Sequence, residues 1–182
     1  MNPQEREAQL LTQAEEVLDR ALALGADDAE ITLGAGQEFS CAYRGESLDK
    51  LEEAGNQGLG VRLFVNGRVV TGSSSDLRPE VVDALMRDLI DAAPHVDPDE
   101  HHTLAPADEL DGKAEDLGTF DPATVTEEAP VRLQRALEAE RAVRGFDARI
   151  TATDGASFGA AYSTSVTAAS KLIVLVRPRR RE

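Results

Sequence analysis

The chain's three histidines stand beside carboxylates in one short segment, a composition that could bind a metal ion. Residues 95–102 read His-Val-Asp-Pro-Asp-Glu-His-His. A metal site needs ligands that converge on one point and are oriented by further hydrogen bonds. Pro98 lies inside this segment, and the sequence around it has no regular periodicity. A solvated acidic connection is therefore the favoured interpretation.

Two further features argue against peptidase or thiol chemistry in this chain. No histidine is followed by glutamate, so the zinc peptidase pairing His-Glu-x-x-His is absent. Cys41 alternates with Phe39 and Tyr43, as residues on one strand face do. This pattern predicts a small core residue and not a nucleophile, because nothing local would lower the pKa of its thiol.

Glycine and serine clusters could contact a phosphate or another ligand. Gly55, Gly58 and Gly60 precede a strand instead of joining a strand to a helix, so they do not have the order of a dinucleotide loop. Residues 73–75 are three serines that more simply end a strand and cap the next helix. We therefore assign no catalytic, cofactor-binding or metal-ligating residue from these patterns.

Composition describes an acidic globular protein. Of the 182 residues, 41% are hydrophobic and 4% aromatic, which fits one domain with an aliphatic core. The net charge is −15, and because residues 171–182 carry +4, the first 170 carry −19. Such a surface repels nucleic acid and anionic membranes, so neither is an expected partner.

Three absences favour a cytoplasmic protein without disulfides. Cys41 is the single cysteine, so no intrachain disulfide can form. The N-terminus has neither the basic nor the apolar part of a secretory signal. The longest fully apolar run, residues 172–176, is too short to cross a bilayer.

Apolar residues with a period of 3.6 predict three helices. The first covers residues 4–24 and stops at Gly25. The second is capped by Ser75 or Asp76, has Pro79 in its first turn, and ends at Pro94.

The third helix is predicted from about Thr126 to Val143, with Gly145 as its stop. Glu140 falls where its apolar stripe would continue. We therefore expect this helix to be buried only in part.

Alternating residues predict strands between the first two helices. Residues 29–33 and 39–43 are expected to be two strands joined by a tight turn at residues 34–36. A second turn at residues 44–46 leads into a weaker strand over residues 47–54.

A hairpin follows this weaker strand. Residues 59–65 form its first strand, and Val69 and Thr71 lie on the returning one. Asn66-Gly67 between them suits a type I′ turn, because both residues tolerate positive φ.

The C-terminal half holds a long connection and the last strands. Residues 94–122 are rich in Pro, Asp, Glu, Gly and Thr and are interpreted as a surface linker. Residues 149–153 and 161–167 are predicted as strands around Asp154-Gly155. The order of elements predicts an α+β domain, with an antiparallel or mixed β-sheet and helices packed on one face.

Four stretches, taken in order, resemble the N-terminal part of the TldD/PmbA family, also called modulators of DNA gyrase, and more closely its PmbA (TldE) branch. They are ALGADDAEITL; YRGESLDKLEEAGNQGLGVRLFVNGR; VTGSSSDL with the later DAAPHVDPD; and FDPATVTEEA with the later ARITATDGASFGAAYSTSV. No one stretch is diagnostic. The resemblance rests on their order and spacing from Ala23 to about Ala169.

The resemblance implies a two-part protein. Residues 1–169 would be the N-terminal α+β domain, which in the family precedes a larger C-terminal domain. In the TldD branch that larger domain carries a zinc-binding His-Glu-x-x-x-His motif and a later cysteine ligand, and it cleaves unfolded peptides in a closed cavity. TldD pairs with the PmbA branch, which lacks the metal ligands. The pair matures peptide antibiotics and degrades an antitoxin.

This sequence departs from the family after Ser165-Val166. Residues 170–182 are interpreted as a non-family basic tail, and the catalytic-type domain is absent from the sequence. The resemblance thus implies a truncated N-terminal domain that contributes subunit association and shapes a peptide chamber, inactive in hydrolysis alone. Residues 172–176 are expected to pair as an exposed edge strand.

The expected partners follow from the same resemblance. They are a TldD-type subunit or a second copy of this chain, with peptide substrates reached through the complex. Zinc is expected only in the TldD-type subunit, and no cofactor is expected here. The alternative is a free-standing acidic module that binds or regulates a protein partner without a peptidase role.

Overall fold

The computed structural model describes residues 3–106, 118–170 and 172–180, and their side chains within 5–106 and 118–170. It contains one five-stranded sheet in the order β3-β2-β1-β4-β5. This confirms the predicted α+β class. The elements are α1 Pro3–Ala23, β1 Asp28–Arg44, β2 Ser47–Val65, β3 Arg68–Ser74, α2 Pro79–Ala92, a 3₁₀ turn Ala93–His95, α3 Ala123–Thr126, α4 Ala129–Phe146, β4 Ala156–Ala169 and β5 Leu172–Arg180.

The chain divides into two compact units. The first contains the described residues of 1–35, 56–117 and 164–178, and the second those of 36–55, 118–163 and 179–182. Strands β1, β2 and β4 each contribute residues to both units.

An aliphatic core fills the first unit, as the shortage of aromatics predicted. Helices α1 and α2 bury their apolar stripes against inward side chains of β1, β2 and β4, because a helix stripe and a sheet face must each cover the other. The core includes Leu10, Ala14, Leu18, Ile31, Leu33, Leu63, Met86 and Val166. A Cβ on Gly72 of β3 would lie 3.0 Å from Leu85 and Leu89, so the glycine permits this close packing of α2.

The core of the second unit is smaller. Phe39, Cys41 and Ala136 are its buried residues, with Phe158 among the half-buried residues packed on them. The Phe39 and Phe158 rings meet edge to face, with centroids 6.5 Å apart. The Arg132 guanidinium lies 5.1 Å from the Phe39 ring centroid and so covers the ring with a cation–π contact. The predicted core position of Cys41 is confirmed.

Of the turns predicted between strands, those at residues 44–46 and 66–67 are confirmed. Asn66 and Gly67 have φ values of 49° and 71°, which suit the type I′ turn between β2 and β3. Gly45 and Glu46, between β1 and β2, have φ values of 55° and 67°. A left-handed conformation is ordinary for glycine but unusual for glutamate.

The prediction of two strands joined by a turn at residues 34–36 was wrong, because β1 is one strand from Asp28 to Arg44. Neither Gly34 nor Gly36 has a positive φ, so both continue the extended chain. Odd-numbered residues remain on the buried side on either side of the glycines, among them Ile31, Leu33 and Cys41. The alternation is interrupted only at residues 36–38, where Gly36 is buried and Gln37 exposed, and the same parity resumes at Phe39. This parity was a better guide than the glycines.

The predicted start of α2 was partly wrong. Pro79 begins the helix as expected, but Arg78 is the cap residue and no side chain caps it. The Asp76 carboxylate instead accepts the backbone N–H and the guanidinium of Arg78. Neither Ser75 nor Asp76 is therefore a helix cap.

The C-terminal half differs from the prediction in three places. Helix α4 begins at Ala129 and includes Gly145, which was expected to end it. Residues 149–153 are not a strand, because Asp147 binds the N–H and guanidinium of Arg149 in a local turn. Strand β4 starts only at Ala156.

The edge strand predicted at residues 172–176 is confirmed, since β5 closes one side of the sheet. Of the expected linker, residues 107–117 lie outside the described residues. None of the described helices has the length and apolarity needed to cross a membrane.

Candidate functional site

The histidine-rich segment is exposed, as expected. The side chains of Glu100 and His101 are 89% and 86% exposed. His102 lies 3.6 Å from Asp99, which is a local contact three residues apart. In the described part of the chain, no three His, Cys, Asp or Glu side chains are grouped so that they could hold a metal ion. The assignment of no metal ligand stays a prediction.

The other sequence candidates have structural roles. Burial raises the pKa of the Cys41 thiol, which makes the reactive thiolate scarcer at neutral pH. The Ser74 hydroxyl donates to the Asp76 carbonyl at 2.9 Å and accepts the Asp76 N–H at 3.0 Å. Gly58 and Gly60 lie inside β2, so they form no phosphate loop.

Glu140 is the one buried carboxylate among the described residues, and it lies on the inner face of α4. Both carboxylate oxygens accept from the Thr153 hydroxyl, at 2.6 and 2.8 Å. One of them also accepts the Gly45 N–H at 3.0 Å. Glu140 therefore joins α4 to the β1–β2 turn and to the segment before β4. The prediction that α4 is buried only in part is confirmed, since Ala136 and Glu140 are its buried residues. Glu140 itself is buried because these donors replace water.

Hydrogen bonding keeps Glu140 ionised. The Thr153 hydroxyl contributes most to lowering its pKa, burial opposes this, and the Gly45 N–H, Arg144 and Arg44 lower it further. The net direction is downward. Glu140 is therefore a structural anion, unlike a general acid, which needs a raised pKa.

A close backbone contact lies beside this carboxylate. Gly155 has a φ of +107°, and a Cβ placed on it would lie 2.6 Å from the Tyr43 carbonyl oxygen. Only glycine fits this approach. Gly155 and Glu140 thus both fix the region of the β1–β2 turn.

A cavity of about 190 Å³ lies in the second unit. It is lined by residues from β1, β2, β4, α3 and α4, among them Phe39, Glu53, Arg132 and Tyr162. The Tyr162 hydroxyl donates to Gln37 at 2.6 Å on its wall. The lining combines aromatic surface with carboxylates and has one arginine. Such a mixture favours a ligand with apolar and cationic parts.

The neighbouring part of β2 has an open edge. Strand β3 pairs only with residues 59–65 of β2. All residues from Ser47 to Gln57 are exposed, and in the described part of the chain no strand other than β1 lies beside them. Leu48 and Leu51 are 45% and 53% exposed. Their failure to alternate in the sequence was the signal that neither face of this segment is buried.

The first unit also has a cavity, of about 350 Å³ and polar. Arg6 and Gln13 of α1 and Arg78 contribute to its lining. Arg78 is held by Asp76, with 2.6 Å between their closest atoms, and this pairing lowers the pKa of Asp76. The charge of Arg78 is therefore offset by Asp76, and Arg6 is the remaining cation of the lining.

The fold and its sequence match define the class of domain. Residues 29–93 match the family described as PmbA/TldA metallopeptidase domain 1. This match confirms the resemblance to the N-terminal domain of the TldD/PmbA family noted in the sequence.

One curated relative and two solved structures are similar to most of the chain. It is 30% identical over 155 residues to Metalloprotease PmbA of Escherichia coli O157:H7, and the match covers 84% of this chain and 34% of that protein. A modulator of DNA gyrase from Bacteroides thetaiotaomicron is similar in fold, with a TM-score of 0.76 at 24% identity over 87% of this chain and 36% of that one. TldE from Thermococcus kodakarensis has a TM-score of 0.73 at 15% identity, over 92% and 37%. The chain spans about a third of the length of the relatives it matches.

Proposed function

We propose that this chain is an N-terminal domain of a PmbA-type protein that takes part in subunit association and in shaping a peptide chamber. The observation that carries this proposal is the match of 84% of the chain to about a third of a PmbA metalloprotease. Residues 1–169 would form the domain and residues 170–182 a basic tail. The protein would act in the cytoplasm.

Hydrolysis is assigned to a partner subunit. No histidine is followed by glutamate in the sequence, and no three His, Cys, Asp or Glu side chains of the described residues are grouped to hold a metal ion. The one buried carboxylate among them, Glu140, is held by hydrogen bonds. Zinc and the reacting groups would come from a TldD-type subunit, and peptides would be reached only through the complex.

Exposed apolar side chains support a role in association. Of the six large ones exposed in the described part of the chain, five lie in the second unit, at Leu48, Leu51, Val131, Val143 and Phe146. Phe146 is 85% exposed. Val143 and Phe146 lie one helical turn apart on α4, and neighbouring exposed apolar groups of this size are typical of a protein contact.

Co-expression with a TldD-type subunit tests the proposal. We expect the two chains to elute together in size-exclusion chromatography and zinc to remain with the TldD-type subunit. A Phe146→Ser change should weaken the complex, while Val96→Ser, an exposed position in the first unit, should not. Stoichiometric zinc binding together with peptide cleavage by this chain alone would refute the proposal.

The acidic surface favours a second candidate, a free-standing module that binds a basic protein without a peptidase role. The net charge of −15 supports it. It predicts no complex with a TldD-type subunit in that experiment.

A further inference from the structure

The open edge of β2 has the features of a binding site for an added strand. From Ser47 to Gln57 both faces of β2 are exposed, and its outer N–H and C=O groups have no strand partner among the described residues. An extended chain can pair with such an edge through main-chain hydrogen bonds, while pockets for alternate side chains provide specificity.

The charges on this edge are divided between its two faces. Side chains alternate along a strand, so Asp49, Leu51 and Glu53 share one face. Glu53 lines the 190 Å³ cavity, which places this face on the side of α3 and α4. Lys50 and Glu52 belong to the opposite face.

The two faces differ in whether their carboxylates have counterions. On the face away from the cavity, Glu52 lies 2.9 Å from Lys50, and the Ser40 hydroxyl donates to it. Asp49 and Glu53, in contrast, have no ion pair within the described structure. Two unpaired anions with a half-exposed Leu51 between them are available to a partner.

These charges determine which kind of chain can pair with the open edge of β2. A second copy would bring another strongly acidic surface to the edge, which like-charge repulsion opposes. An added strand has side chains that lie directly across from Asp49, Leu51 and Glu53 on the same face. The added strand should therefore have a basic residue, any residue, an apolar residue, any residue and a second basic residue, in that order.

We propose that the second unit binds an extended polypeptide segment with this basic-x-apolar-x-basic pattern, as an additional strand on β2 between Ser47 and Gly55. Its basic side chains pair with Asp49 and Glu53, and its central apolar side chain covers Leu51. The half-buried Tyr162 on the wall of the cavity contacts the aliphatic stem of the cation beside Glu53. The inference deepens the proposed function and rests on it only for the identity of the chain that supplies the segment.

Synthetic peptides test it with the whole chain. The probe is a fluorescein-labelled peptide with Lys-Thr-Val-Thr-Lys at its centre, and fluorescence anisotropy gives the dissociation constant. The permuted peptide Lys-Lys-Val-Thr-Thr has the same composition and charge. A version N-methylated at alternate residues cannot donate the main-chain hydrogen bonds. We expect the probe to bind and both other peptides to bind at least about fivefold more weakly.

Matched variants separate this site from general attraction to an acidic protein. Glu53→Lys should weaken the probe at least about fivefold, since it replaces an attraction with a repulsion. Glu16→Lys makes the same charge change at an exposed position of α1 and should leave binding within about twofold. Equal losses in the two variants, or equal binding of the permuted or N-methylated peptide, would overturn the inference.

The outcomes also distinguish this inference from the proposed function. If Asp49→Lys and Glu53→Lys leave a complex with a TldD-type subunit intact and the probe does not bind, the inference fails and the proposed function stands. If the probe binds at β2 and no such complex forms, the proposed function fails alone. Self-association of the chain that Glu53→Lys abolishes would assign the edge to a second copy and overturn the inference.

Discussion

The Thr153 hydroxyl lies within hydrogen-bonding distance of both carboxylate oxygens of Glu140, at 2.6 and 2.8 Å. Thr153 precedes β4 and Glu140 belongs to α4, so this contact joins two segments of the second unit. The Gly45 N–H adds the β1–β2 turn to the same carboxylate. One buried side chain thereby holds the turn that leads into the open edge of β2.

Replacing Glu140 should make stability respond differently to pH. Its pKa is lowered in the folded state, first by the Thr153 hydroxyl. A group with a depressed folded pKa stabilises the fold above its unfolded pKa, near 4.5, and this contribution disappears as the pH falls through the folded value. Glu140→Gln should therefore be less stable than the parent at pH 7, with a difference that shrinks in acid.

Urea unfolding followed by circular dichroism measures this difference, since the chain has no tryptophan. Asp147→Asn provides a control. The pKa of Asp147 is also lowered, but its partner is the exposed Arg149 and not a buried donor. A gap between parent and Glu140→Gln that stays constant from pH 7 to pH 3 would contradict the role of the charge.

Changing Thr153 should have a graded effect. Thr153→Ser keeps the hydroxyl donor and should preserve most of the stability. Thr153→Val keeps the shape but leaves Glu140 with only the Gly45 N–H among its close donors, which makes burial of the charge unfavourable. The expected order of urea midpoints is parent, then Ser, then Val. Equal midpoints for Ser and Val would show that the hydroxyl is unimportant.

Local rules predicted the parts of the fold in which nearby residues decide the conformation. Asn66-Gly67 formed its turn because both residues accept a positive φ. Cys41 was placed correctly because its strand alternation extends over several residues. The stripe of α1 and its stop at Gly25, with a φ of +110°, are equally local.

The predictions failed at residues whose conformation depends on partners distant from them in the sequence. Glu140 interrupts the apolar stripe of α4, and its own burial could not be predicted, because the donors that make it favourable, Gly45 and Thr153, are far apart in sequence. Thr153 was predicted to lie in a strand over residues 149–153. It lies outside any strand and donates to Glu140 instead. The open edge of β2 was signalled only by a missing alternation, because which strand lies beside another is set by the whole sheet.

Gly155 should be intolerant of any side chain. Alanine there would place its Cβ 2.6 Å from the Tyr43 carbonyl oxygen, at a φ of +107°. We expect Gly155→Ala to lower the free energy of unfolding by about 2 kcal/mol or more. Gly145→Ala is the matched control, because a Cβ at that helical position would extend into open space. That change should instead stabilise by up to about 1 kcal/mol, and a loss in both variants would contradict this account.

The turn between β1 and β2 offers a stabilising change. Glu46 has a φ of 67°, which costs a residue with a Cβ about 1 kcal/mol or more unless its side chain is adapted to that region. Asparagine tolerates it, so Glu46→Asn should raise the free energy of unfolding by about 0.5 to 1 kcal/mol. The lost contact with Arg141, at 3.2 Å between half-exposed side chains, subtracts little. Glu46→Ala removes the same contact without relieving the backbone, so only the asparagine variant should melt at a higher temperature than the parent. If both melt alike, strain at residue 46 does not limit the stability of this turn.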